Sequence, residues 1–443
     1  MKPILVFTLF AFLPSAYSMD ASVRGNARGI FAADTEKDDD VEHLYQQELR
    51  LFAEGRASAE EWSGTISFLL RHQLADPNDT KQSYDADLYE AYVRWASHTF
   101  SIEAGQRVVR WGVMEYVSPT DAINPRDLRL LIDPEVEDTY LPVLLFRSIV
   151  NSGSVTFEGI YQPFFRSSRF FLFGWDAAIY RPSLAGLFGI PFVDAGAQID
   201  DGSEEDVQNN ALNLQYPDDN PLTGEGGLRI GWSCNKIDVG VLYLNKRETL
   251  PSTDFPGGLS GLIPASTASP SSSSVISTFP RDHLVGATVR AVLDNGFTLK
   301  GEALYQHEAT YYDSQLNRLR DSSLIWSAGV DYDWELRQLF TLEFSQDRVL
   351  GDSSPDFFLR DRSQYMLSPA AVLNFDARTW TIELKGTTVL NQAAYLIRPR
   401  LIYRPTATWE LALGGNVWGG DADSLFGLVS NDDQVFVAAK VLF

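Results

Sequence analysis

Residues 297–306 read FTLKGEALYQ, and apolar or small side chains alternate in them with polar ones. One face carries Phe297, Leu299, Gly301, Ala303 and Tyr305, and the other carries Thr298, Lys300, Glu302, Leu304 and Gln306. A period of two residues predicts a β-strand with one apolar and one polar face. The same alternation recurs in residues 88–95, 155–161, 380–385 and 407–413. Strands therefore dominate the predicted structure.

The alternating segments are long. They extend over about eleven to thirteen residues, whereas strands in globular proteins have ~5–6 residues. A tilted strand that crosses a bilayer needs ~9–11 residues. The length therefore favours a membrane barrel over a soluble sandwich.

The connections between these segments alternate in length. Short ones, such as 97–99, 151–153 and 294–296, follow long ones, such as 112–138 and 247–281. Short turns at one rim and long loops at the other are typical of bacterial outer-membrane barrels. We therefore predict an all-β fold, a transmembrane antiparallel β-barrel with long extracellular loops. The count from 62–73 to 434–443 gives about sixteen strands, with fourteen or eighteen as alternatives.

Both ends of the chain carry export signals. Residues 1–18, MKPILVFTLFAFLPSAYS, have a positive start, an apolar core and a small-x-small site, which predicts a signal peptide cleaved near Ser18. The last strand ends on Phe443 and resembles the C-terminal strand by which outer-membrane barrels are recognised for insertion. We therefore predict location in the outer membrane of a Gram-negative bacterium, with Phe443 as the signal for the insertion machinery.

The chain is predicted to divide at residue 60. Residues 61–443 form the barrel, and residues 19–60 form a periplasmic segment. Apolar residues within 41–53 fit a helical stripe, which predicts a short helix or a plug, with an extra strand as the alternative.

Composition and motifs exclude several functions. A net charge of −23 argues against binding to nucleic acid. Cys234 is the sole cysteine, and the five histidines show no i, i+4 pairing for zinc. Residues 258–262, GLSGL, lack the second glycine of a nucleophile elbow. We predict no catalytic residues, no metal and no cofactor.

If the apolar faces meet lipid, the polar faces line a lumen, because Arg or Lys facing lipid at mid-depth costs ~2–4 kcal/mol. Both signs of charge occur on these faces in comparable number, which predicts a hydrated lumen. The alternative is that they pair across strands and only stabilise the wall. The predicted pore-lining residues are Glu90, Arg94, Glu103, Arg107, Glu158, Arg229, Arg290, Lys300, Glu302, Glu383, Lys385, Arg398, Arg400 and Glu410.

The long connection 112–138 is predicted to narrow the pore. Asn124 can cap a helix and Pro125 suits its first position. The apolar residues that follow need a place to be buried, and the barrel interior is nearest; a position across the mouth is the alternative. The predicted constriction residues are Asp121, Asn124, Pro125, Asp127 and Asp133. The three acids are expected to face the wall residues Arg94, Arg107 and Arg398.

The same region resembles a known family. Residues 106–112, QRVVRWG, are followed by 121–127, DAINPRD, and by Leu141-Pro142. This resembles a large, poorly characterised family of porin-like proteobacterial outer-membrane proteins, a domain of unknown function with a W-G strand end followed by I-N-P-x-D. The close match covers about residues 100–145. The resemblance implies an outer-membrane channel or an export-associated barrel and no named substrate.

The predicted function is a porin-like outer-membrane channel for small hydrophilic or amphipathic solutes, narrowed by the 112–138 connection. A non-conducting barrel that anchors or partners an envelope complex is the alternative. A barrel hydrolase, with Ser67 or Ser345 beside a histidine, is a third reading.

The expected partners follow from location and charge. Nine acids without Lys or Arg in 191–225 predict a solvated surface or contact with lipopolysaccharide through divalent cations. The expected partners are outer-membrane lipid, lipopolysaccharide, the barrel-insertion machinery and an unidentified small solute; a homo-oligomer stays open.

Overall fold

Eighteen antiparallel strands form one closed barrel. The computed structural model describes residues 20–35, 45–75, 82–128, 139–169, 213–255, 276–335, 337–351, 357–358, 360–421, 424, 426–427 and 433–443. Each barrel strand pairs with the next one along the chain, and β1 pairs with β21 to close the sheet.

The strands in chain order are β1 (Asp20–Asp34), β2 (Tyr45–Ala59), β3 (Trp62–Ala75), β4 (Gln82–Ala96), β5 (Phe100–Arg107), β6 (Val143–Ser152), β7 (Val155–Gln162), β8 (Leu214–Gln215), β9 (Glu225–Cys234), β10 (Ile237–Arg247), β11 (Ser252–Asp254), β12 (Ile276–Thr278), β13 (Arg281–Val292), β14 (Phe297–Tyr312), β15 (Arg318–Trp334), β16 (Gln338–Val349), β17 (Ser363–Phe375), β18 (Trp380–Val389), β19 (Ala394–Tyr403), β20 (Trp409–Gly419) and β21 (Gln434–Leu442). The short strands β8, β11 and β12 form a separate three-stranded sheet. Short 3-10 turns occupy Pro221–Thr223, Asp376–Arg378 and Leu390–Gln392.

The first two strands correct the prediction from sequence. The predicted barrel begins at residue 61 with about sixteen strands, and the structure has the eighteen that were the upper alternative. The two further strands, β1 and β2, lie within residues 19–60, where a helix or plug was predicted and an extra strand was the alternative. The predicted helix at 41–53 is wrong over 45–53, which belong to β2; residues 41–44 lie outside the described residues. The strand pattern was missed because the apolar residues of β2 also fit a helical stripe.

Short turns lie at one rim and longer connections at the other. Two short turns contain Gly153 (φ 60°) and Gly296 (φ 84°), in the left-handed region that glycine adopts without strain. The two ends of the barrel meet at this short-turn rim, where Gly25 and Phe443 exchange backbone hydrogen bonds of 2.8 and 3.0 Å. The even strand number puts both ends of the barrel on the same side.

Side chains alternate between the outside and the lumen. On β10, Val241 is 54% exposed and Tyr243 is 40% exposed on the outer face, whereas Leu242 and Leu244 are each 2% exposed and point inward. The outer face is therefore apolar and uncovered. No helix among the residues described above has the length and apolarity to cross a membrane.

An apolar core fills part of the lumen. Residues 108–128, here called the inner segment, leave β5 and enter the barrel, where Trp111 and Ile123 pack against inward-facing side chains of the wall. The buried members of this core are Val109, Trp111, Ile123, Val143, Leu145, Ile160, Leu242, Leu244, Leu284 and Leu304. The lumen that was predicted to be hydrated thus also holds an apolar core, to which Ile123 of the 112–138 connection contributes.

Candidate functional site

Glu302 of β14 fastens the inner segment to the far wall. Its carboxylate accepts hydrogen bonds from the backbone N–H of Val113, of Met114 (2.7 Å) and of Thr120 (3.1 Å), and from the hydroxyls of Ser118 and Thr120. Hydrogen bonds to a charged acceptor are stronger than neutral ones. Because all five donors lie within residues 113–120, this carboxylate fixes both the position and the curvature of the inner segment.

A second carboxylate continues the attachment along the wall. Glu343 of β16 accepts from the backbone N–H of Glu115 and of Tyr116, each at 3.0 Å, and from Lys300 at 3.0 Å. Between the two, Ser327 of β15 donates to the Val117 carbonyl at 2.9 Å. The inner segment is thus bound to three adjacent strands on the side of the barrel opposite its own origin.

Asn124 ties the return of the inner segment to its start. Its side-chain oxygen accepts from Val109 N at 2.8 Å, and its side-chain N–H groups donate to the carbonyls of Leu141 (2.8 Å) and Arg107 (3.3 Å). The predicted helix cap is therefore wrong. Residues 121–127 contain no helix, and Pro125 accepts from Leu141 N at 2.8 Å instead of opening one.

Trp111 covers a charged network on the near wall. Its indole N–H donates to Glu158 at 2.8 Å, and Arg147 bridges Glu158 (2.7 Å) and Glu103 (3.2 Å). Glu103 also contacts Arg107 and, at 3.6 Å, Arg94. These ion pairs join neighbouring strands of the wall beneath the inner segment. Stabilisation of the wall is the role that the sequence analysis gave as the alternative for these residues.

The acids of the inner segment do not face the arginines expected for them. Asp121 accepts from Arg110 at 2.7 Å and from Gly112 N at 2.7 Å. Asp127 lies 3.4 Å from Arg71 and 4.0 Å from Arg169. Asp133 lies outside the described residues. The predicted pairing of these acids with Arg94, Arg107 and Arg398 is therefore corrected for both acids that can be placed.

Tyr140 closes the base of the inner segment. Its hydroxyl donates to Asp121 at 3.0 Å and accepts from Arg126 at 2.8 Å. Burial raises the pKa of Tyr140 to about 12. The hydroxyl therefore stays protonated and keeps its bond to Asp121 over the ordinary range of pH.

A polar cavity of about 1040 Å³ remains between the inner segment and the rest of the wall. Residues 112–117 form one side of it, and inward side chains of β13–β15 and β18–β21 form the other. Eight basic and four acidic side chains line it: Arg110, Arg290, Lys300, Lys385, Arg398, Arg400, Arg404 and Lys440, with Glu115, Asp331, Glu383 and Glu410.

The fourteen predicted pore-lining residues divide into two groups. Seven line this cavity: Arg290, Lys300, Glu383, Lys385, Arg398, Arg400 and Glu410. The other seven, Glu90, Arg94, Glu103, Arg107, Glu158, Arg229 and Glu302, are not among its lining residues. Glu90 accepts from Val108 N at 2.9 Å, so it too serves the inner segment.

Sequence reasoning missed several residues of this site. The predicted site residues do not include Glu115, Arg110, Glu343, Lys440 or Arg404. The period of two predicts the inward direction of Glu343 and Lys440, but the role of Glu343 depends on a segment more than two hundred residues away in the chain.

The serines of the hydrolase reading are buried in the wall. Ser67 accepts from Glu90 N at 3.0 Å, and Ser345 is 2% exposed. Neither hydroxyl is hydrogen-bonded to a histidine in the placed part of the chain. Residues 1–19, 191–212 and 258–262 lie outside the described residues, so the signal peptide, most of the acidic connection and the GLSGL stretch are not placed.

The structure is thus a closed antiparallel barrel with a connection that folds inward. Residues 16–396 match the family model described as a protein of unknown function, DUF1302. The chain belongs to this family. No curated protein matches.

Solved porin structures match this chain over most of its length. OmpF of Salmonella typhi in complex with daunomycin has 11% identity and a TM-score of 0.45, with 96% of this chain and 97% of that chain covered. A mutant of the Rhodopseudomonas blastica porin has 11% identity and a TM-score of 0.40, with 96% and 100% covered.

Proposed function

We propose that this chain is an outer-membrane channel for small hydrophilic solutes, in which the inner segment forms the constriction. The observation that carries the proposal is the attachment of residues 113–120 to Glu302 and Glu343 across the lumen, beside a polar cavity of about 1040 Å³. A barrel of this strand number is wide enough for an aqueous path unless a segment fills it. The inner segment fills one part and leaves the other open to water.

The outer surface supports placement in a membrane. Large apolar side chains such as Leu228 and Leu384 point away from the lumen and are more than half exposed. A continuous apolar face of this kind is unfavourable in water and favourable in the hydrocarbon layer. Contact with lipopolysaccharide at the long-connection rim and recognition of Phe443 by the insertion machinery belong to the same proposal.

The constriction is fixed in place. Three of the five hydrogen bonds to Glu302, and two hydrogen bonds to Glu343, come from backbone N–H groups of residues 113–120. Loss of one partner of a buried hydrogen bond costs about 1–3 kcal/mol. The pore therefore has one stable diameter, set by the wall carboxylates.

Single-channel recording tests this proposal. The purified protein in a planar bilayer should give discrete conductance steps, and Glu302→Ala should raise the step size because the inner segment loses its attachment. Glu308→Ala is the matched control, since Glu308 lies on the same strand, contacts Arg320 at 3.1 Å and is not bound to the inner segment. The control should leave the step size unchanged.

Two results would reject the proposal. A barrel that is folded, as judged by heat-modifiable migration, yet never conducts would favour the alternative of an anchor for an envelope complex. Equal conductance of the wild type and Glu302→Ala, with both folded, would show that the inner segment is not the constriction.

A further inference from the structure

We propose that the cavity selects hydrophilic anions, with carboxylates or phosphates as the solute class. This inference rests on the proposed channel function and adds the charge of the solute. It concerns the surface formed by Arg290, Lys385, Arg398, Arg400 and Arg404, here called the basic wall.

The charge of the cavity is opposite to that of the chain. The chain carries a net charge of −23, whereas the cavity is lined by eight basic and four acidic side chains. The surplus belongs to the surface of the cavity itself, behind which lie three buried acids: Asp121 beside Arg110, Glu343 beside Lys300, and Glu302 beside Met114. Positive charge is thus concentrated on the surface of the cavity in an otherwise acidic molecule.

Like charges lie directly opposite each other on neighbouring strands of the cavity wall. Arg290 of β13 is the cross-strand partner of Lys300 of β14, and Lys385 of β18 is the partner of Arg398 of β19. Like charges in this position destabilise a sheet. Protein carboxylates offset part of this repulsion, because Lys300 pairs with Asp331 and Glu343 at 3.0 Å, Lys385 pairs with Glu383 at 3.4 Å, and Asp238 of β10 lies opposite Arg290. An anion in the cavity lowers the repulsion that remains.

The acids that line the cavity are shared between basic residues. Glu383 lies 3.4 Å from Lys385 and 3.8 Å from Arg400, and Glu410 lies 3.3 Å from Arg400 and 2.9 Å from Arg404. Two carboxylates are thus shared among three basic side chains. Arg290 is exposed to the cavity and forms no ion pair with any residue that the structure describes.

Guanidinium groups indicate which anions fit. Arginine binds the oxygens of carboxylates and phosphates in pairs, and its charge persists at every physiological pH. A cleft with one sign of charge and walls of low dielectric raises the local concentration of the opposite ion. Four of the five residues of the basic wall are arginines, so oxyanions should be favoured over potassium in the same space.

Reversal potentials in a potassium chloride gradient test the inference. The wild type should be anion-selective, with a chloride-to-potassium permeability ratio of roughly ten, the lower end of electrostatic focusing by charged clefts. The double variant Lys385→Gln with Arg398→Gln should bring this ratio close to one. Arg378→Gln is the matched control, because Arg378 is exposed in a short turn outside the cavity. It should keep the wild-type ratio.

Two further arms identify the anion. Inorganic phosphate and acetate are added separately to the chloride solution, and the one that blocks the chloride current at lower concentration indicates the preferred oxyanion. A conducting wild type with a ratio of one or below overturns the inference and leaves the channel function intact. Absence of any conductance from a folded barrel overturns both.

Discussion

Asn124 connects three separate stretches of backbone inside the barrel, through Val109, Leu141 and Arg107. The Asn-Pro pair predicted a helix start, and the same pair is equally typical of a turn. Local preference alone cannot distinguish the two, because the partners of the amide are 15 and 17 residues away. Asn124, one of the residues that carry the family resemblance, thus holds the inner segment together. The sequence does not show which residues it contacts.

Asn124→Ala should loosen the inner segment without opening the barrel. The change leaves Val109 N and the Leu141 carbonyl buried without partners, at a cost of about 1–3 kcal/mol each. Limited proteolysis of the folded protein should then cut within residues 108–128, where the wild type resists. Asn295→Ala, in a short turn far from the inner segment, is the control. Equal resistance of both variants would contradict this role of Asn124.

Glu115 gives the cavity a pH dependence. Burial raises its pKa above the ordinary value for glutamate, against the opposing effect of Lys300. As the pH falls through this raised pKa, Glu115 becomes neutral. The cavity then loses one negative charge beside Lys300, Asp331, Glu343 and Lys385, and its positive surplus increases. Anion selectivity should therefore rise on acidification.

Reversal potentials recorded over a series of pH values measure this effect. Glu115→Gln should have, at neutral pH, the stronger anion selectivity that the wild type reaches in acid, and its own pH dependence should be smaller. The same pH dependence in the wild type and in Glu115→Gln would assign the effect to another group.

At the scale of elements, β1 and β2 show what a periodic pattern can and cannot predict. On β1 the outward residues include Gly25, Ala27 and Gly29, which carry too little side chain to give a strong apolar alternation. Their place in the barrel depends on hydrogen bonds to β2 and β21. The strands with an unbroken row of aromatic and branched outward residues could be predicted. In β1 glycine and alanine interrupt the row between Val23 and Phe31, and in β2 the apolar residues, Leu49 among them, also fit a helical stripe, so the local pattern left a strand only as the alternative.

Deletion of Asp20–Asp34 should prevent barrel closure. The deletion leaves β2 and β21 each with one unpaired edge, and exposed edges favour aggregation. The truncated protein should lose heat-modifiable migration and become sensitive to protease. A separate plug in this position would allow a folded, more conductive barrel after the same deletion, so the two readings give opposite results.

At the scale of the whole molecule, the outside of the barrel is more predictable than its inside. The alternation of short and long connections predicts the two rims, and most strand positions follow from the period of two. The apolar core around Leu242, Leu284 and Leu304 does not follow, because the period shows which side chains share a face and not what covers that face. The covering segment comes from a distant part of the chain.

Cys234 offers a test of which rim faces outward. It is exposed at the end of β9, beside a short turn, and it is the sole cysteine of the chain. If the short turns are periplasmic, a membrane-impermeant maleimide should leave it unlabelled on intact cells and label it after the outer membrane is permeabilised. Asp218→Cys in a Cys234→Ser background is the matched control, since Asp218 is exposed in a long connection and should be labelled on intact cells. The reverse pattern would invert the topology.

The attachment of the inner segment also determines the order in which parts of the barrel can fold. Val113 and Glu302 are separated by 189 residues, and Tyr116 and Glu343 by 227. Contacts between such distant parts of a chain form slowly, because long loops must close first. Met114 therefore waits for β15 before it can be buried against the far wall. During that interval its side chain is apolar surface open to aggregation, so in the proposed outer-membrane location the nascent barrel has the greatest need of a periplasmic chaperone after β5 is made and before β16 is in place.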